Sequence, residues 1–123
     1  LSCRPAQIQQ ILMNLVTNAR DAVNESRRDK HVWLSASTFV REGRSWVRIS
    51  VRDAGPGIPP AIRQRIFDPF FTTKRNDKGT GLGLAVSHGI AVDHGGTLEV
   101  ESEVGVGTTF HLELPAESPT SAL

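Results

Sequence analysis

Residues 79 to 84 read Gly-Thr-Gly-Leu-Gly-Leu and follow a polar run that carries Lys74, Arg75 and Lys78. Glycines let backbone N–H groups approach a phosphate closely, and a helix starting there adds unsatisfied amides and the positive end of its dipole. The same stretch also suits a plain turn that packs a helix against a sheet. Upstream, Asn14, Asn18 and Asp21 fall within about 60° of one another on a helix that turns ~100° per residue. Asparagine competes with the backbone for hydrogen bonds and forms helices poorly. A solvated face is the simple explanation, but such a face is usually built of Lys, Glu and Arg, and here those appear only beyond Asn18. Asp53-Ala-Gly55-Pro-Gly57-Ile58 puts a carboxylate at a strand end with two glycines beside it, giving an acceptor and room for a flat ligand. A polar turn would use the same residues. Phe67, Phe70 and Phe71 are three of the five phenylalanines, and Pro69 forbids a regular helix among them. Aromatics leading into a polar, glycine-ended loop suit a hinged lid or an anchored surface loop.

Other chemistries are excluded by spacing. There is no GxxxxGK[ST], and the glycine stretch is GxGxG rather than GxGxxG. His31, His88, His94 and His111 lack metal-ligand spacing, and no GxSxG elbow exists. The single cysteine, Cys3, has no partner for a disulfide or a CxxC motif. A net charge of +1 gives no basic field for nucleic acid. No apolar run approaches the ~20 residues that span a membrane.

The elements that must position these residues are legible from period and punctuation. Ile8, Ile11, Leu12, Leu15, Ala19, Ala22 and Val23 make one apolar stripe, which predicts a helix from Pro5 to about Arg27. Residues 31–40 read as a strand, Gly43 tips a turn, and Val47, Ile49 and Val51 alternate with polar residues in a second strand that ends at Asp53. Pro59 or Pro60 opens a short helix running from Ala61 to about Phe67. A further helix is predicted from Leu82 to Ala91, stopping before Gly95-Gly96. Strands at 97–102 and 108–114 flank a turn at Gly105-Val-Gly107, with Phe110, Leu112 and Leu114 on one face. The sum is an α+β, two-layer α/β sandwich with a mixed, mostly antiparallel sheet covered by helices on one face. Residues 1–115 form one domain, and the patternless tail 116–123 is expected to be disordered. The chain opens on Leu with a helix almost at once and is read as a piece of a longer protein.

Five motifs in order make the sequence recognisable: residues 10–22 with Asn14, Asn18 and Asp21; 53–58; Ile66 to Lys74; 79–84; and Gly105-Val-Gly107-Thr108-Thr-Phe. From about Ala6 to Pro115 the chain resembles the catalytic ATP-binding domain of sensor histidine kinases. That domain belongs to the superfamily that also holds DNA gyrase, the ninety-kilodalton heat-shock chaperone and MutL. Asp21, where many transmembrane members carry Lys, and Phe70-Phe-Thr-Thr73-Lys74 look closer to the nitrogen-regulation-like subgroup.

The resemblance implies a Bergerat-type fold that binds Mg-ATP. It implies that Asn18 holds Mg²⁺ through its amide oxygen and that Asn14 helps hold the phosphates or the metal's waters. Asp53 would accept a hydrogen bond from the adenine amino group, with Gly55, Gly57 and Ile58 beside the base and Thr108 in the same polar network. Phe67, Thr73 and Lys74 would belong to the lid and its hinge, with Lys74 reaching the phosphates. Gly79, Thr80, Gly81, Leu82, Gly83 and Leu84 would bind them at the helix start, and Asp21 would line the nucleotide. The lid, residues 72–80, is expected to be mobile without nucleotide.

Where hydrolysing relatives carry Glu four residues before the metal-binding Asn, this chain has Asn14, and an amide cannot act as a general base. Transfer to an incoming nucleophile is therefore the reading, and the resemblance implies that the acceptor is a histidine on a separate dimerisation domain, with a response-regulator receiver domain downstream. The expected setting is the cytoplasm, without nucleic acid or direct membrane contact. A hydrolysing ATPase, an anti-sigma-type serine kinase and a non-catalytic nucleotide-binding module remain the alternatives.

Overall fold

The structure, a computed structural model, describes residues 5–25, 31–68 and 83–116. The expectations placed on Thr73, Lys74, Gly79, Thr80, Gly81 and Leu82, the lid at 72–80, and the tail after Ala116 lie outside the described residues.

The described chain runs α1 (Pro5–Glu25), β1 (Val32–Arg41), β2 (Arg44–Asp53), α2 (Pro60–Arg63), α3 (Gly83–Asp93), β3 (Thr97–Glu103) and β4 (Gly107–Pro115). The strands form one sheet in the order β1-β2-β4-β3. All three pairings are antiparallel, so the described sheet has no parallel pair and is simpler than the mixed sheet anticipated. The short second helix also differs from expectation. It stops at Arg63, and residues 64–67 continue as turns in which Arg65 N–H donates to the Ile62 carbonyl and Asp68 N–H to the Arg65 carbonyl.

Period-2 side chains put Val51 opposite Phe110 and Ile49 opposite Leu112 on one face of the sheet, with Leu98 continuing the second row. That face is covered by α1 and α3. Ile8, Ile11, Leu15, Ala19 and Val23, spaced by three and four residues as the stripe predicted, are all buried. The first four meet Ile90, Ala91, Phe110, Leu112 and Leu114, each at most 8% exposed, in one core. Helix α3 ends as a Schellman motif, with Gly96 N–H donating to the Ala91 carbonyl and Gly95 N–H to the Val92 carbonyl.

The other face of the sheet carries no helix among the described residues, yet Glu113 is only 3% exposed there. Arg41 Nη2 donates to its Oε1 at 2.9 Å, and Arg48 Nε to its Oε2 at 2.7 Å. The Arg41 guanidinium lies 5.0 Å from the ring centres of both Phe39 and Trp46. Burial alone would push the Glu113 carboxyl up, but hydrogen bonds and charge from Arg48 and Arg41 together hold it below its ordinary range.

Candidate functional site

The site is set by the end of β2 and the helix that crosses it. Asp53 is the last residue of its strand and is 3% exposed. Its Oδ1 accepts the Gly55 N–H at 2.8 Å. Burial raises its pKa, because a carboxylate loses hydration there, while backbone hydrogen bonds from Gly55 and Thr108 act in the opposite direction. A Cβ on Gly55 would fall 2.8 Å from Ala22 Cβ and 2.9 Å from Asp53 Oδ1, so only glycine lets this turn lie against α1. Gly57 has φ +81°, and a Cβ there would strike the Glu103 carbonyl, which fixes the loop against the β3–β4 turn. Gly105 N–H closes that contact by donating to the Pro56 carbonyl at 2.8 Å.

Thr108 sits opposite Asp53 in the β2–β4 ladder and is 5% exposed. Its Oγ1 lies 2.8 Å from Ser102 Oγ, which also accepts the Ile58 N–H at 2.7 Å. A depression of about 400 Å³ opens at this rim, a size suited to a small ligand. Asp53, Ser102, Gly107 and Thr108 line it, but its other walls include Arg52, Glu101 and Thr109, and none of Asn14, Asn18 and Phe67 reaches it. It therefore belongs to the sheet end alone, and not to the space between α1 and α3.

The other end is marked by Asn14. Its Nδ2 donates to the Gly83 carbonyl at 3.2 Å and to Ser87 Oγ at 3.0 Å, tying α1 to the first turns of α3. A carbonyl oxygen can only accept, so the nitrogen of the amide must face Gly83. Asn18 is half-buried one turn further along. Asn14, Asn18 and Ala22 are spaced by four residues, so Asn18 lies about 6 Å along the helix from each of the other two. Asn14 contacts the start of α3, Ala22 contacts Gly55, and Asn18 stands midway. The ends of the site are thus about 12 Å apart along α1. Asp21 is half-buried on the same helix with Arg20 4.0 Å away.

Phe67 stacks on His88 of α3 at 5.0 Å and meets Phe110 edge-on at 6.4 Å, so the residue that leads into 69–82 is anchored in the core. Leu84 and Ile58 also pack against that core. Ser102 and Ser87 are the residues that sequence reasoning passed over. Ser87, 0% exposed on α3, could have been flagged as a serine at an apolar helix position, whereas Ser102 looked like the polar half of an ordinary strand alternation.

Among the described residues no group of three His, Cys, Asp or Glu side chains could hold a metal. A hard cation here would depend on amide oxygens, phosphate oxygens and water, which Mg²⁺ accepts. Half-buried Asn18, with an amide oxygen to offer, is the described residue whose chemistry fits such a cation. No helix among the described residues is long and apolar enough to cross a membrane.

Comparisons with known proteins agree with the fold. Two-component sensor PprA of Pseudomonas aeruginosa is 42% identical over 118 residues, which is 94% of this chain and 12% of that protein. Sensor histidine kinase ZraS of Escherichia coli K12 is 44% identical over 90% of this chain and 22% of its own length. The chain thus spans between about an eighth and a fifth of these longer proteins. Among solved structures, the catalytic domain of histidine kinase ThkA superposes with a TM-score of 0.70 at 36% identity, covering 92% of this chain and 69% of that one. The mycobacterial sensor histidine kinase MprB gives 0.71 at 26% identity, covering 91% and 74%. Residues 3–118 match the family described as histidine kinase-, DNA gyrase B- and HSP90-like ATPase. The chain belongs to that family, as an ATP-binding catalytic domain of the sensor histidine kinase kind.

Proposed function

We propose that this domain binds Mg-ATP between α1 and the Asp53 loop and donates the γ-phosphoryl group to a histidine on a separate dimerisation domain. The observation that carries the reading is the spacing along α1, where one helix face touches the adenine-end loop through Ala22 and the start of α3 through Asn14. Asn18, midway, would hold Mg²⁺ through its amide oxygen. The ion, when bound, supplies charge neutralisation on the phosphate oxygens. Asp53 would accept from the adenine amino group, Thr108 would join that network, and Gly55, Gly57 and Ile58 would shape the base pocket. Lys74, with the amides at Gly79, Gly81 and Gly83, would meet the phosphates. ShkA, a relative 33% identical over 92% of this chain and 23% of its own, has been solved in complex with AMPPNP, which supports a nucleotide as the ligand of such a protein.

Asn14 spends its amide hydrogens on Gly83 and Ser87 and has no basic nitrogen with which to take a proton from water. Transfer to an incoming imidazole is therefore favoured over hydrolysis. The four histidines of this chain are poor acceptors: His88 stacks on Phe67, His94 Nδ1 bonds the Ile90 carbonyl, His111 bridges Ser50 and Glu101, and His31 packs near Trp33. The acceptor histidine then belongs to another domain, with a response-regulator receiver domain next in line, and the chemistry takes place in the cytoplasm.

Calorimetry of ATP binding with and without Mg²⁺ tests the site. Asn18→Ala is expected to abolish the magnesium-dependent gain in affinity, on the order of tenfold or more for a lost charge-assisted contact. Retention of that gain overturns the metal assignment. Incubation with labelled ATP should leave no phosphohistidine on this chain, and steady release of phosphate by it would favour a hydrolysing ATPase.

A further inference from the structure

Four groups converge on Ser102, a half-buried residue of β3 outside the set just assigned. Its Oγ accepts the Ile58 N–H at 2.7 Å, lies 3.0 Å from the Gly107 carbonyl oxygen and 2.8 Å from Thr108 Oγ1. Its own carbonyl accepts Arg63 Nη1 at 2.9 Å. A serine hydroxyl has one hydrogen and two lone pairs. The Ile58 N–H can only donate, and the Gly107 carbonyl can only accept. If the Ser102 hydrogen goes to Gly107, the two lone pairs take hydrogens from Ile58 and Thr108. Only this arrangement makes all three contacts hydrogen bonds.

The consequence falls on Thr108. Its single hydroxyl hydrogen is directed into the protein, and its oxygen has only lone pairs left to offer. Ionised Asp53, paired with Thr108 across the β2–β4 ladder, is likewise an acceptor only. A rim of acceptors favours a base edge that carries an amino group and repels one that carries a carbonyl oxygen.

We propose that Ser102 is a specificity-setting positioning residue, which by fixing the Thr108 hydroxyl as an acceptor makes the site select adenine over guanine nucleotides. The inference rests on the reading that Asp53 and Thr108 face the base. Ser102 acts through Thr108 and through the Gly57-Ile58 loop, which it holds to β3. Buried groups built to pair with one partner discriminate strongly against a ligand that leaves them unpaired.

The test is equilibrium binding of ATP and GTP to the 123-residue chain in Mg²⁺, for wild type, Ser102→Ala and Ser102→Cys, with thermal unfolding alongside. Wild type should bind ATP well above GTP. In Ser102→Ala the Thr108 hydrogen is released and can turn to a guanine carbonyl, so the ATP-to-GTP affinity ratio should narrow by roughly tenfold, the effect of about one hydrogen bond. Ser102→Cys keeps the side chain's shape with a weak donor and acceptor, so its ratio should also narrow if the alanine variant fails to fold. A merely structural role would lower Tm and weaken both nucleotides equally, and an unchanged ratio in either variant overturns the proposal. Wild type that binds both nucleotides alike overturns the specificity claim. Wild type that binds neither overturns the ATP reading beneath it.

Discussion

At the residue scale the decisive group is Asp53, a carboxylate held in an unfavourable place by its neighbours. Burial raises its pKa above the ordinary 3.8, so the folded state retains the proton more tightly than the unfolded chain does. Stability therefore falls as pH rises from 3.8 through the folded value, and the penalty persists above it. Asp53→Asn removes this charge while keeping an oxygen for the Gly55 N–H. Its Tm at neutral pH should hold or rise, while ATP affinity should fall by about 10- to 100-fold as an acceptor for the amino group is degraded. A large drop in Tm together with unchanged ATP affinity would show that the carboxylate serves the fold and not the ligand. Asp53 could be picked out from sequence because a strand ended on it beside two glycines. The hydrogen-bond direction at Thr108 could not, because it depends on Ser102, a residue of another strand with no pattern of its own.

At the element scale, α1 does two jobs with two faces, and both left marks in the sequence. The buried stripe appeared as hydrophobic period, and the polar stripe beside it as asparagines in a helix that propensity alone would not place there. What stayed hidden was the use of Ala22, which looked like one more core residue but is the surface against which Gly55 rests. The short helix before Phe67 was overrun in the reading because Pro60 signals a start while nothing in Arg63-Gln-Arg-Ile-Phe67 signals a stop. Glycines also separate by role here. A Cβ on Gly89 of α3 would meet nothing within 4 Å, so Gly89→Ala should stabilise by roughly 0.5–1 kcal/mol through helix propensity. It should leave ATP affinity unchanged. Gly57→Ala should cost at least about 1–2 kcal/mol for its left-handed backbone, with a further penalty against Glu103. Chemical denaturation of the two variants should give shifts of opposite sign.

At the scale of the whole molecule, the face of the sheet that carries Glu113 responds to acid differently from the Asp53 loop. Glu113 is held below its ordinary 4.5 in the folded state, so its contribution is present above 4.5 and is lost as pH falls through the lower folded value. Asp53 acts with the opposite sign over its own window, so among the described carboxyls Glu113, and Glu101 beside His111, are the ones whose protonation favours acid unfolding. Arg48→Ala removes one of its two arginine partners, and the midpoint of acid unfolding should move to higher pH. An unmoved midpoint would assign the acid response elsewhere. The α+β layering, the order of elements and most of the core were legible because amphipathic periods are local. The Arg41–Glu113–Arg48 cluster was not, since it joins residues up to 72 positions apart in sequence that read singly as surface charges.

The contact between Gly55 and Ala22 bears on how the domain can move. With a Cβ excluded there by less than 3 Å, α1 and the Asp53 loop cannot slide past one another and act as one rigid jaw. Helix α3 meets α1 through the two hydrogen bonds of Asn14 and also through the shared core of Ile8, Ile11, Leu15, Ile90 and Ala91. Any shift of α3 against α1 therefore has to be taken up in that core as well as at Asn14.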